Sequence, residues 1–147
     1  MDASKPNIVF IFADQQRNEV AGYAGDPVAI TPNLDRIAGS GVSFTRCVTS
    51  SPVCMTARTS IMTGLQIHQH GVWTVSNPEL RHGQSHVRNV RDAGYRTGLI
   101  GKNHLWPHEG GDAREHASEL LEWGWDMALE VAGPTETLLT DSAYTDY

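Results

Sequence analysis

Asn7-Ile8-Val9-Phe10-Ile11-Phe12-Ala13 is an unbroken apolar run, rich in β-branched and aromatic residues, that stops at Asp14-Gln15-Gln16-Arg17. A continuous run, rather than an alternating one, is expected of a strand buried on both faces of a parallel sheet. Polar side chains then emerge at the strand's C-terminal end, the edge where open α/β sheets collect ligands. A second run of this kind, Tyr95-Arg96-Thr97-Gly98-Leu99-Ile100-Gly101, delivers Lys102-Asn103-His104 to the same kind of edge.

Helices are expected between and beside these strands. Thr31 is placed to cap a helix with Pro32 at its first position and Gly39 or Gly41 at its end. Thr56 to Met62 reads as a helix with Ile61 and Met62 inward and Gly64 as its stop, and Ser85 to Ala93 as one closed by Gly94. Ser118 to Trp123 has room for one or two helical turns, and Val42 to Thr49 and Trp125 to Val131 read as further strands. Gly22 to Pro27 and Glu109 to Glu115 read as loops, Gln66 to Val72 as a loop or turn, and Thr135 to Tyr147 has no strong pattern. The alternation predicts an α/β fold with a mainly parallel central sheet flanked by helices.

The 147 residues suffice for one domain. With 39% apolar and 19% charged residues, the composition is that of a soluble globular chain. A net charge of −6 without a basic stripe argues against nucleic acid as a partner. Ile8 to Ala13 is too short for a signal-peptide core or a bilayer span, so the chain is read as cytoplasmic, with no membrane partner. Cys47 and Cys54 make neither a disulfide framework nor a Cys-x-x-Cys metal site, and Cys47 reads as a buried structural residue. His68 and His70 look like half of a zinc site that nothing nearby completes, and are read as loop residues. Trp73, Trp106, Trp123 and Trp125 are read as core.

The chemistry concentrates in Ser51-Pro52-Val53-Cys54-Met55-Thr56-Ala57-Arg58-Thr59-Ser60-Ile61-Met62-Thr63-Gly64. Cys54 sits where a turn feeds a helix, and Arg58 follows one helical turn later on the same face. Free backbone N–H groups at the start of that helix favour an anion there. A nucleophile, a cation and a helix N-terminus at one point suit attack on an oxyanion ester.

With Asp14 after the first strand, the Ser-Pro-Val-Cys block ending in Thr63-Gly64, Pro32-Asn33-Leu34-Asp35, and Gly94-Tyr95-Arg96-Thr97 followed by Gly101-Lys102-Asn103-His104-Leu105, the chain resembles the N-terminal part of a sulfatase. These are formylglycine-dependent hydrolases of the alkaline-phosphatase-like superfamily. The resemblance implies that Cys54 is oxidised to formylglycine by a formylglycine-generating enzyme, and that its hydrate is both nucleophile and metal ligand. Asp14 is implied as a ligand of a divalent cation, Ca²⁺ first, with Mg²⁺ or Mn²⁺ as others. Arg58 is implied to hold the hydrate, and Lys102 and His104 to grip the sulfate and the hydrate's hydroxyls. The implied substrate is a small-molecule or carbohydrate sulfate ester.

Three departures stand beside the resemblance. Thr56 and Ala57 occupy the places where the maturation signal commonly has Pro-Ser or Ala-Ser. Gln15 stands where many sulfatases have a second aspartate; Asp-Gln resembles the choline-sulfatase and phosphonate-monoester-hydrolase branches, which also act on phosphorus esters, so a phosphonate monoester or phosphodiester is the alternative substrate. The downstream ligands of the family have no recognisable counterpart after His104; Glu136, Asp141 and Asp146 are carboxylates without that context. Residues 1–147 are therefore read as the N-terminal part of a catalytic domain with its C-terminal part absent, an incomplete α/β fold expected to turn over little alone. Exposed sheet surface in such a piece is expected to favour oligomers.

Overall fold

The computed structural model describes residues 5–75, 83–105 and 117–130. The chain divides into two compact units, Met1–Cys47 and Val48–Tyr147.

The first unit is organised by one carboxylate. A short 3-10 turn, Gly22–Ala24, and helix α1, Pro32–Ser40, are joined through Asp35. Tyr23 N–H and the Thr31 hydroxyl both donate to Asp35 Oδ1 at 2.8 Å, while Thr31 Oγ1 accepts from Gly22 N–H at 2.8 Å. Thr31 is the N-cap residue as expected, with Pro32 at the first position and Gly41 at the end. Its side chain, however, caps the neighbouring turn rather than its own helix.

Two expected strands are corrected here. Residues 7–13 form no strand among the described residues, and Ile8, Val9, Phe10, Ile11 and Phe12 are between 44% and 81% exposed. The backbone keeps the alternation of an extended chain: Phe10 and Phe12, two residues apart, stack with ring centroids 6.0 Å apart. Apolar patterning equips a segment for a sheet, but a strand exists only where a neighbouring ladder takes up its N–H and C=O groups. Residues 42–49 likewise form no strand, with Val42, Phe44 and Val48 exposed. Cys47 is exposed, not a core residue.

The second unit holds helices α2 (Cys54–Thr63), α3 (Ile67–His70), α4 (His86–Asp92) and α5 (Ala117–Trp123), with strands β1 (Gly98–Gly101) and β2 (Met127–Glu130). The strands pair in parallel, Gly98 opposite Met127 through Gly101 opposite Glu130. α5 lies between them in sequence, a β-α-β order that matches the α/β expectation. Met62, Val87 and Leu105 form the core, with Trp123 and Trp125 packed on it. Trp73 is exposed, contrary to expectation, and Trp106 lies outside the described residues, as do residues 109–115 and 135–147. No helix among the described residues is long and apolar enough to cross a membrane.

Helix ends are where this unit is stitched together. Gly64 stops α2 in the left-handed region (φ 69°), its N–H donating to Ser60 O at 2.8 Å. The last carbonyls of α2 are taken from the start of α4: His86 Nδ1 lies 3.0 Å from Met62 O, and Gln84 Nε2 donates to Thr63 O at 3.0 Å. α4 does the same for α5. Arg91 donates to Leu121 O at 3.0 Å, Arg88 to Glu122 O, and Ser85 Oγ to Trp123 O at 2.6 Å. Cations at a helix C-terminus also suit its dipole.

Gly124 then turns the chain at φ 103° directly against α4, where an added Cβ would sit 2.5 Å from Arg88 N and 2.6 Å from Arg88 Cα. Beyond it, Asp126 Oδ2 accepts from Thr97 N–H at 2.9 Å, and Thr97 Oγ1 donates to Gly124 O at 2.6 Å. Asp126 N–H closes the loop onto Thr97 Oγ1 at 3.0 Å. This exchange sets the β1–β2 register at its first pair. Gly124→Ala should cost about 2–5 kcal/mol, a left-handed penalty plus an overpacked backbone contact. Urea unfolding of the wild type and variant measures it.

Candidate functional site

α2 begins at Cys54, two residues before the Thr56 start expected from the sequence. Ser51 Oγ accepts from Val53 N–H at 3.0 Å, Val53 is the extended N-cap residue, and Cys54 is the first helical residue. The first helical hydrogen bond runs from Ala57 N–H to Val53 O at 2.9 Å. The amides of Cys54, Met55 and Thr56 precede it, the geometry that favours negative charge at a helix start. Cys54 is a half-buried free cysteine.

Arg58 is 9% exposed, an uncommon position for a cation unless its donors are taken. Its Nη1 donates to the backbone carbonyl of Lys102, 44 residues along the chain. The two segments read as chemically active, the start of α2 and the turn after β1, are thus joined by a direct bond. Lys102 is half-buried, while Asn103 and His104 are 5% and 8% exposed. His104 has φ 56°, the only non-glycine residue among those described with a positive φ. That conformation costs an L-residue about 1–2 kcal/mol, and it concentrates at functional sites where surrounding structure imposes it.

Two buried polar atoms flank these residues. Thr56 Oγ1 and Asn103 Nδ2 have no hydrogen-bond partner among the described residues. Each such atom costs about 1–3 kcal/mol when left unsatisfied. Sequence reasoning passed over both, since nothing in a single Thr or Asn announces burial.

Asp14 belongs to the first unit and is exposed, as is Gln15, with Asp14 O accepting from Gln16 N–H at 2.8 Å. Among the described residues no group of three or more His, Cys, Asp and Glu is gathered to hold a metal ion. Asp14 and Gln15 are hard oxygen donors of the kind Ca²⁺ or Mg²⁺ takes, but two donors fall short of the six to eight oxygens a Ca²⁺ site uses. The described residues thus supply only part of a cation's ligand set.

Of the loop or turn expected over Gln66–Val72, the structure shows the turn. Gln66 and Gln69 form a reciprocal capping box around the single turn of α3, with Gln66 N–H donating to Gln69 Oε1 at 2.9 Å. The Gln-x-x-Gln spacing was the available signal. His70 is fully buried, whereas His68 is exposed, so the pair does not act as a unit. Val72 N–H donates to His70 Nδ1 at 3.1 Å, which makes Nδ1 the acceptor and leaves the proton on Nε2. Nε2 therefore donates to Ser60 Oγ, 2.9 Å away, and cannot act as a base toward that hydroxyl. The contact fastens α3 to α2.

A family model described as Sulfatase matches residues 6–147. The uncharacterized sulfatase YidJ of Escherichia coli is 38% identical over 106 residues, covering 71% of this chain and 21% of that protein. An arylsulfatase of Clostridium perfringens is 38% identical over 104 residues, covering 70% of this chain and 22% of the relative. An ulvan-active sulfatase of Formosa agariphila is 39% identical over 108 residues, covering 73% and 21%. The chain belongs to the sulfatase family, whose fold is alkaline-phosphatase-like. It spans about a fifth of the length of the curated relatives it matches.

Two predictions come from these geometries. Burial holds His70 below its ordinary value of 6.5. The unfolded chain therefore takes up its proton first as pH falls, and the stability it contributes is complete above 6.5 and drains away below it. Urea midpoints measured from neutral to acidic pH should fall for the wild type and fall less steeply for His70→Asn, which starts less stable by about 1–3 kcal/mol. Separately, His104→Gly should be more stable than His104→Ala by about 1 kcal/mol, because only glycine accepts the left-handed turn without penalty.

Proposed function

We propose that this chain serves the hydrolysis of a sulfate ester, with position 54 bearing a formylglycine made from cysteine. One observation carries the reading: Cys54 opens α2 one turn before a buried arginine bonded to the Lys102–His104 segment. Membership of the sulfatase family supports it. An aldehyde hydrate at position 54 would supply an attacking oxygen and, through its second hydroxyl, a route for releasing sulfate. A divalent cation, Ca²⁺ before Mg²⁺ or Mn²⁺, would supply Lewis-acid stabilisation, with Asp14 as a hard oxygen ligand.

The chain's own side chains do the rest. Arg58 and the first amides of α2 offset negative charge at the sulfuryl oxygens, and Lys102 adds a second positive donor. A preorganised donor of this kind is worth about 3–4 kcal/mol in the transition state. His104, held nearly out of solvent, would grip the sulfate and the hydroxyls of residue 54 and could pass a proton there. Relatives named for ulvan and for N-acetylglucosamine-6-O-sulfate support a carbohydrate sulfate as substrate, and the arylsulfatase a small aryl sulfate. Gln15 supports comparison with an aryl phosphonate, since it removes one negative charge from the proposed ligand set. Thr56 precedes the first helical bond, so the signal read by the converting enzyme accepts proline here without loss of a helical hydrogen bond.

The test uses the full-length protein made with a formylglycine-generating enzyme. Mass spectrometry of the peptide holding residue 54 should find the aldehyde, and Cys54→Ala should lower turnover of 4-nitrophenyl sulfate by at least about a thousandfold. An unmodified thiol in active protein, or unchanged turnover in the alanine variant, contradicts the reading. A faster rate on the aryl phosphonate would transfer the assignment to phosphonate esters.

A further inference from the structure

We propose that Arg58 is a positioning residue for the Lys102–His104 turn, acting on the reaction through His104 as well as by its own charge. This rests on the hydrolase reading above for its catalytic consequence, but not for its structural one. The peptide between Lys102 and Asn103 carries the carbonyl that Arg58 grips. Fixing that plane sets ψ of Lys102 and φ of Asn103 together, since each peptide is rigid. One residue beyond His104, the Leu105 side chain is buried in the core with Met62 and Val87. The turn is therefore clamped at both ends, and the left-handed His104 lies between the clamps.

β1 ends at Gly101 after four residues, and its Ile100 is 71% exposed, so the strand gives the turn only a short base. An unclamped His104 would fall into the cheaper right-handed or extended regions and carry its imidazole away. Arginine suits the task better than lysine. Its fork of five N–H donors can hold a carbonyl with one arm and leave others for an anion, whereas an ammonium is a point charge on a flexible stem.

The first readout does not depend on activity. In the full-length protein with Arg58 present, the unfolding constant of H104A should exceed that of H104G by about fivefold, the preference of a left-handed site for glycine. In an Arg58→Lys background the ratio should collapse toward one, and in Arg58→Gln, the second variant should R58K fail to fold, it should collapse as well. A ratio that persists undiminished without the guanidinium overturns the proposal. The second readout is kcat/KM for 4-nitrophenyl sulfate, with formylglycine at position 54 verified in each protein. R58K should cost about a hundredfold in the wild-type background, the scale of a misplaced catalytic group. In H104A the same change should cost only a few-fold. Losses that simply multiply would assign Arg58 a direct role alone. Absent turnover in the wild type would count against the hydrolase reading, while the stability ratio still decides the positioning role.

Discussion

The hydrogen bond from the Arg58 guanidinium to the Lys102 carbonyl joins two stretches of chain that local rules would leave independent. α2 supplies the half-buried Cys54 and the early amides; the turn after β1 supplies Lys102 and His104. Without that bond each is an ordinary helix start and an ordinary strand exit. With it, a cation is held in the protein's interior at the cost of its hydration, and a peptide plane is fixed in return. The left-handed His104 follows from the same constraint, because a disfavoured conformation persists only where its neighbours leave no alternative.

The rest of the second unit serves to keep those two stretches in register. Carbonyls at the end of α2 are taken by residues opening α4, and carbonyls at the end of α5 by Ser85, Arg88 and Arg91 of the α4 region. Thr97 and Asp126 then lock the first pair of the β1–β2 ladder. Each contact satisfies a helix-end or strand-end group that has no partner within its own element. Together they carry the position of α5 and β2 to β1, and β1 delivers the turn that Arg58 grips.

What could be read from the sequence was what short-range rules govern. Thr31-Pro32, Ser85, Gly64 and the four-residue separation of Cys54 and Arg58 all depend on neighbours within a turn or two, and all fall as expected. The helix at 117–123 was legible for the same reason, and so was a strand at 98–101, but not the burial expected of it, since Ile100 is 71% exposed. Asn7–Ala13 was not, because its apolar residues state a capacity for pairing, and pairing depends on a partner strand. Trp73 and Cys47 were misplaced by residue type alone, a statistical guide that burial in a particular fold overrides. The Arg58–Lys102 bond, the αL His104 and the Ser60–His70 fastening span segments or depend on backbone angles, and no spacing in the chain encodes them.

The most direct measurement is a diffraction structure of the full-length protein, converted at position 54, with inorganic sulfate bound. Arg58 Nη1 should remain on the Lys102 carbonyl at about 2.9 Å, with His104 at a positive φ and its imidazole facing the anion. A guanidinium turned away from that carbonyl, with His104 in the right-handed or extended region, would contradict the constraint on which the site depends.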